Sequence, residues 1–380
     1  MKNTTYTRRE RVLKTFNHKE PDRIPLDLMG HASMLVDKTY LRLRDYLGLS
    51  AIPPVRSGTT ANYYDERILE YLDIDFRRIF LKKKRQSPAG ENGTYTDEWG
   101  ITYKKEGLYY NVASHPMKNF RTKEEVEHYE WPKAEDVFVT EGLKAQAKHL
   151  YEKTGYALVA RNPLTAGFLD RGFMLFGMAE FLMAIMTSPE LARCAIRRML
   201  EIYNDVYSMF LDEIGPYVQM VETGDDMGTQ ESTLVSPAIY RELFKPAESE
   251  LYALIRKKAP DAKIFRHCDG AIFDLIPDFI EIGVDILNPV QTSARNMEPH
   301  KLKETFGDRL VFHGTLESVG KGMDAAITEL KERVAVFAPN GGYVLSTCNH
   351  LIDVEPEDIV AIFQAAKEYG MYSKNQEDAS

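Results

Sequence analysis

The sequence predicts a (β/α)8 barrel, and three observations carry that expectation. Short apolar runs near residues 23, 76, 157, 217, 262, 284, 310 and 342 alternate with amphipathic stretches, the rhythm of strands joined by helices around a parallel sheet. Several of these runs end abruptly in polar or turn-forming residues: YVQMVETGDDMG at 217–228, AKIFRHCDG at 262–270, VDILNPVQ at 284–291, LVFHGTLE at 310–317 and GYVLSTCNH at 342–350. No glycine-rich phosphate loop follows the first run, which sets aside a nucleotide-binding open sheet. In a parallel barrel the C-terminal strand ends converge on one mouth, where catalytic groups collect.

Taken in order, residues 7–16 predict a basic helix, Pro21 and Asp22 a turn, and 23–29 a first strand ending at Gly30, His31 and Ala32. Helices are expected at 36–47 and 65–72, and a strand at 76–81. Residues 95–116 alternate aromatic and polar side chains with breaks at Gly100 and Gly107, the pattern of an antiparallel hairpin inserted among elements of another rhythm. Helices follow at 122–129 and 143–153, then a strand at 157–160. One helix is expected at 174–186 and a second at 189–214, with Ser188 as its N-cap and Pro189 at its first position. The remaining strands are separated by helices at 237–258, 272–282, 298–306 and 323–337, and a helix at 355–369 follows the last strand. The expected organisation is one barrel domain over 1–373, with the 95–116 hairpin inserted, N-terminal helical additions and a polar tail at 374–380.

The chain has 380 residues, 44% of them hydrophobic, and a formal net charge of -9. That supports a large core and gives no electrostatic footprint for nucleic acid. The run KKKR at 82–85 reads as solvated surface or an anion patch. Three cysteines make no disulfide framework in a chain this long. The charged N-terminus lacks an apolar signal core, and the apolar stretch at 176–192 is interrupted by Glu180 and Pro189, so a cytoplasmic protein without a membrane span is expected. The oligomeric state stays open, a homodimer included.

His267, Asp269 and Cys348 form the sharpest constellation. His267 and Asp269 are two apart and point the same way on an extended strand end. Nitrogen, oxygen and sulfur donors from separate strands suit a Zn2+ site with an open position. A hydrogen-bonded histidine and an inert buried cysteine would read the same. Asp226 is a candidate general base within the acidic group Glu222, Asp225 and Asp226, where mutual repulsion would raise one pKa; Glu222 is a candidate for substrate or metal. Asn288, Gln291, His313 and His31 are candidates for substrate contacts at the mouth. His350, beside Cys348, could donate a proton, support a metal ligand or sit in a turn.

At these residues the chain resembles the uroporphyrinogen decarboxylase superfamily, which contains haem-pathway decarboxylases and corrinoid-dependent methyltransferases. The resemblance runs from NHKEPDRIP near the start to PEDIVAIFQAAKEYG near the end and is strongest over 217–370. It implies a (β/α)8 barrel. True decarboxylases carry an arginine-rich stretch after the first strand, whereas residues 29–34 here read MGHASM; a substrate with many carboxylates needs cationic partners. The methyltransferase branch binds zinc with a His-x-Cys pair and a distant Cys. His267 and Cys348 match, while Asp269 stands where the first Cys is expected. A carboxylate in place of a thiolate makes a harder Lewis acid towards oxygen. The resemblance therefore implies methyl transfer from a small O- or N-methylated donor to the cobalt of a corrinoid on a separate partner protein, since this chain has no Asp-x-His-x-x-Gly signature. A decarboxylase of porphyrin metabolism and a non-catalytic accessory barrel are the alternatives.

Overall fold

The computed structural model describes residues 6–56, 59–85 and 93–372; the tail expected at 374–380 lies outside them. Seven parallel strands run in chain order around a curled sheet: Phe76–Ile79, Ala157–Ala160, Met220–Gly224, Lys263–His267, Ile286–Asn288, Val311–His313 and Tyr343–Val344. The eighth strand expected near 23 is reduced to a single parallel bridge, Leu26 to Leu345. It still closes the ring. Leu345 N–H donates to Pro25 O, Asp27 N–H to Leu345 O, and Asp75 N–H to Leu26 O. Buried charge explains why it is no regular strand: its Leu26 N–H bonds the Asp75 carboxylate instead of a neighbouring carbonyl. Asp75 also takes Arg11 and Arg23 in ion pairs at the foot of the barrel.

Inside the barrel the side chains stack by the period of two that strands impose. Phe76, Val159, Met220, Phe265, Ile286, Val311 and Val344 form one buried apolar layer, sealed from below by Val12 and Phe16 of the helix Arg8–Phe16. That helix is fixed by a capping box between Thr7 and Glu10. Two residues further along the same strands stand Arg78, Arg161, Glu222, His267, Asn288, His313 and Ser346, all buried. The polar layer thus rests directly on a packed floor.

Three expectations change. The helix expected at 174–186 is two helices, Phe168–Phe176 and Met178–Thr187, broken at Gly177 with φ +94. Ser188 makes no side-chain cap for Pro189–Ile214. Residues 95–116 form part of a three-stranded antiparallel sheet, Thr94–Thr96, Thr102–Glu106 and Tyr109–Ser114, rather than a two-stranded hairpin. Trp99 and Ile101, in its first turn, are buried in the main core. Among the described residues no helix is long and apolar enough to cross a membrane.

Candidate active site

The polar layer is a closed circuit. His267 Nδ1 donates to Asn288 Oδ1 at 2.8 Å, and Asn288 Nδ2 donates to His313 Nδ1 at 2.9 Å. His313 Nε2 donates to Asp27 at 2.8 Å, and Arg78 clasps both Asp27 oxygens at 2.8 and 2.6 Å. Arg78 Nε then donates to Glu222 at 2.8 Å, and Arg161 Nη1 donates to the other Glu222 oxygen at 2.8 Å. Arg161 also donates to His31 Nδ1 at 2.9 Å, and the His31 ring stacks on His267 with centroids 4.4 Å apart. Seven successive walls of the barrel each contribute one member, and His31 completes the circuit.

The circuit fixes ring orientation. With Nδ1 committed to Asn288, His267 presents Nε2 to the mouth, 3.4 Å from Asp226 and 3.7 Å from Asp269. The ligand atoms of Asp226, His267 and Asp269 all lie within 4.8 Å of one another. One oxygen of Asp269 is buried without a hydrogen-bond partner. An imidazole held by an amide behind it and faced by two carboxylates suits a divalent cation with three protein ligands and an open position. Burial opposes charge on His267, but Asp226 first and then Asp269 outweigh it and raise its pKa to about 9. The carboxylates therefore hold a positive charge here even when that charge is a proton.

Cys348 is placed differently from the sequence expectation. Its thiol is buried and lies 3.3 Å from Gly314 O and 3.5 Å from Val290 O. Burial pushes it well above the usual thiol range, with Glu317 and Glu329 adding to the shift. The group of donor atoms is completed by Asp226 instead. Glu222, Asn288 and His313, read from the sequence as substrate contacts, are buried, and their side chains are hydrogen-bonded within the circuit. Burial would raise the Glu222 pKa, but Arg161 and Arg78 hold it below the usual range. Gln291 accepts the Gly270 N–H at 2.7 Å and steadies the turn after Asp269. His350 lies against the first-strand loop, its Nδ1 2.9 Å from Ala32 O. Burial lowers its pKa to about 4, so it is neutral at pH 7. Among these candidates, His31 lies at the mouth, stacked on His267.

Asp170 escaped the sequence reading. Asp170 accepts the Asp226 N–H at 3.1 Å. Burial and then Asp226 push its pKa up to about 7. Its neighbour Asp225, whose carboxylate takes the Leu169 and Asp170 N–H groups, is raised well above the usual range by burial and by Asp170. The repulsion that raises these carboxyl groups involves Asp170, outside the acidic group of Glu222, Asp225 and Asp226 that the sequence singled out. Nothing in the local sequence around Asp170 marks it, since it sits in the first turn of the helix Phe168–Phe176.

A cavity of about 360 Å3 adjoins this circuit through Arg161. It lies under the antiparallel sheet, between Tyr95, Trp99 and Tyr103 on one side and residues 80–83 and 161–165 on the other.

Fold and site together define a TIM-type barrel with its polar groups gathered at the C-terminal mouth. Residues 110–369 match the family uroporphyrinogen decarboxylase (URO-D), and the chain belongs to that family. Among solved structures it is similar to a methyltransferase from Methanosarcina mazei, at 14% identity and a TM-score of 0.61, covering 96% of this chain and 99% of that one. Xylanase 10B from Thermotoga maritima is more distant, at 10% identity and a TM-score of 0.36 over 60% of this chain and 80% of that one. No curated protein matches the chain by sequence.

Proposed function

We propose that this protein is a methyltransferase that moves a methyl group from a small O- or N-methylated donor to the cobalt of a corrinoid carried by a separate protein. The observation that carries the reading is the His267, Asp226 and Asp269 group, with donor atoms within 4.8 Å of one another at the mouth. The likeness in fold to the Methanosarcina mazei methyltransferase supports it. These three residues would hold Zn2+ or a similar divalent ion, which when bound supplies Lewis acidity towards the leaving heteroatom. Asn288 keeps His267 turned to the mouth, His31 covers its ring, and the floor of apolar side chains closes the site from below. The departing oxygen or nitrogen needs a proton. Asp170, with a pKa near 7 and one hydrogen bond from Asp226, is better matched to neutral pH than His350.

A decarboxylase is the second reading, with Asp226 stabilising a protonated pyrrole, and arginines around the cavity favour it. Against it stand the lack of arginine in residues 29–34 and the carboxylate pair facing His267.

The test is elemental analysis of the purified protein together with methyl transfer to cob(I)alamin, followed by its visible spectrum. Stoichiometric divalent metal is expected, abolished in His267→Ala and strongly reduced in Asp226→Ala and Asp269→Ala. Cys348→Ser should keep its metal. Loss of metal in that variant would return Cys348 to the ligand set. A metal-free protein, indifferent to chelators and active on uroporphyrinogen, would establish the decarboxylase. Metal without turnover on any methyl donor would leave an accessory barrel.

A further inference from the structure

We infer that the cavity beside the mouth binds a small organic carboxylate with a flat apolar body, gripped by Arg56, Arg161 and Arg171. The inference rests on the proposed function in one respect: this carboxylate is taken to be the methyl donor.

Charge is the first argument. The cavity is lined by five cationic side chains, Arg56, Lys82, Lys83, Arg161 and Arg171, against two carboxylates, Asp97 and Glu98. Glu98 is already paired with Lys83 at 2.9 Å. Asp97 takes the N–H groups of Trp99 and Ile101 and the Tyr103 hydroxyl, and stands 4.0 Å from Arg171. Among the described residues Arg56 makes no ion pair, and its Nε donates to the Ala61 carbonyl at 2.7 Å. Burial, and then Arg161, pushes the Arg56 pKa down to about 10, so its charge is held at a cost. Arg161 shares Glu222 with Arg78, and its Nε is buried with no partner. The Arg171 Nε is likewise buried and unpartnered. Arg161 and Arg171 are buried, Arg56 is half-buried and the two lysines are exposed; positive charge in excess of its partners favours an anion, and guanidinium groups match a carboxylate in geometry.

Shape is the second. The other walls are Phe80, Leu81, Trp99, Tyr103, Phe138 and Leu164. Arg171 already lies over the Trp99 ring, 4.5 Å from its centroid, so cation and aromatic wall form one surface. Apolar walls with a few convergent charged groups, at this volume, are the usual make-up of a small-molecule site. Position is the third argument. Arg161 touches His31 and His31 stacks on His267, so two side chains link the cavity wall to the donor group.

The test uses equilibrium binding, by calorimetry on the purified protein, with 4-methoxybenzoate and with 4-methoxybenzyl alcohol as a neutral ligand of the same shape. At least a tenfold preference for the acid is expected. Arg56→Gln should lose most of that preference, and Arg42→Gln, at a partly exposed arginine paired with Asp353 and Glu355, should keep it. The melting temperature of each unliganded variant shows that the fold is intact. Equal binding of acid and alcohol, no binding of the acid, or an undiminished preference in Arg56→Gln would overturn the inference. Methyl transfer is read separately. If the acid binds with the stated preference but no methylated donor of any charge transfers its methyl, the cavity stands and the proposed function fails. If only neutral donors are turned over, the function stands and this inference fails.

Discussion

Asp27 and Arg78 are both fully buried, and their bidentate pair anchors the circuit at the first two walls. Neither charge has water to fall back on, so removing one partner strands the other. Arg78→Met is expected to destabilise the protein by about 3–5 kcal/mol, measured by urea unfolding, because it leaves both Asp27 and Glu222 short of a cation. The Asp27 pKa has a definite sign. Burial would raise it, but the Arg78 charge and the Arg78 and His313 hydrogen bonds hold it well below the usual carboxylate range. A depressed folded pKa gives stability that is fully present above the unfolded value, about 3.9, and is lost as pH falls through the folded value. The melting temperature should therefore fall steeply below about pH 4, and Asp27→Asn should lose part of that slope while being less stable at neutral pH. An unchanged slope would show that other carboxylates govern acid unfolding.

Among the elements, the turn after the strand Lys263–His267 sets the geometry of the donor group. Gly270 sits at φ +92, and a Cβ there would come within 2.6 Å of Gly228 C and Thr229 O. Asp269 N–H donates to Asp226 at 3.0 Å, and Ala271 N–H to Thr229 O at 2.7 Å. The two loops are thus packed backbone to backbone, and that packing holds Asp226 and Asp269 around His267. Gly270→Ala combines left-handed strain with a backbone clash, so a loss of about 1–3 kcal/mol is expected. It should also weaken divalent metal binding by more than tenfold, although no ligand is changed. Full metal affinity in a destabilised Gly270→Ala would show that the ligands are held by something else.

At the scale of the whole molecule, the antiparallel sheet over 94–114 roofs the cavity and shares its core with the barrel. Trp99 and Ile101 are 3% and 0% exposed, and Tyr95 stacks on Tyr103 with centroids 5.0 Å apart. Deleting all of 95–116 would expose the main core. Trimming residues 104–110, whose side chains are mostly exposed, should leave cooperative thermal unfolding intact and the acid preference of the cavity little changed. Replacing Trp99 by Ala should cost about 3–5 kcal/mol and weaken binding of 4-methoxybenzoate. A trimmed protein that no longer folds would make the sheet's outer end part of the core.

The strand–helix rhythm and the polar strand ends were legible because strands have a fixed period of two. The pairs Phe76 and Arg78, Val159 and Arg161, Met220 and Glu222, Phe265 and His267, Ile286 and Asn288, and Val311 and His313 write a floor and a ring directly into the chain. That pattern fixes which residues face inward. It does not fix which of them touch each other. Asp226 and not Cys348 completes the donor group because the turn at Gly270 folds back on the loop after Gly224, while the thiol reaches carbonyls on two neighbouring loops. Asp170 joins from a helix, and Arg56, Arg161 and Arg171 share one cavity although 115 residues separate the first and last of them. Such meetings depend on loop paths and on buried charges choosing partners across the barrel, so only the tertiary structure decides them.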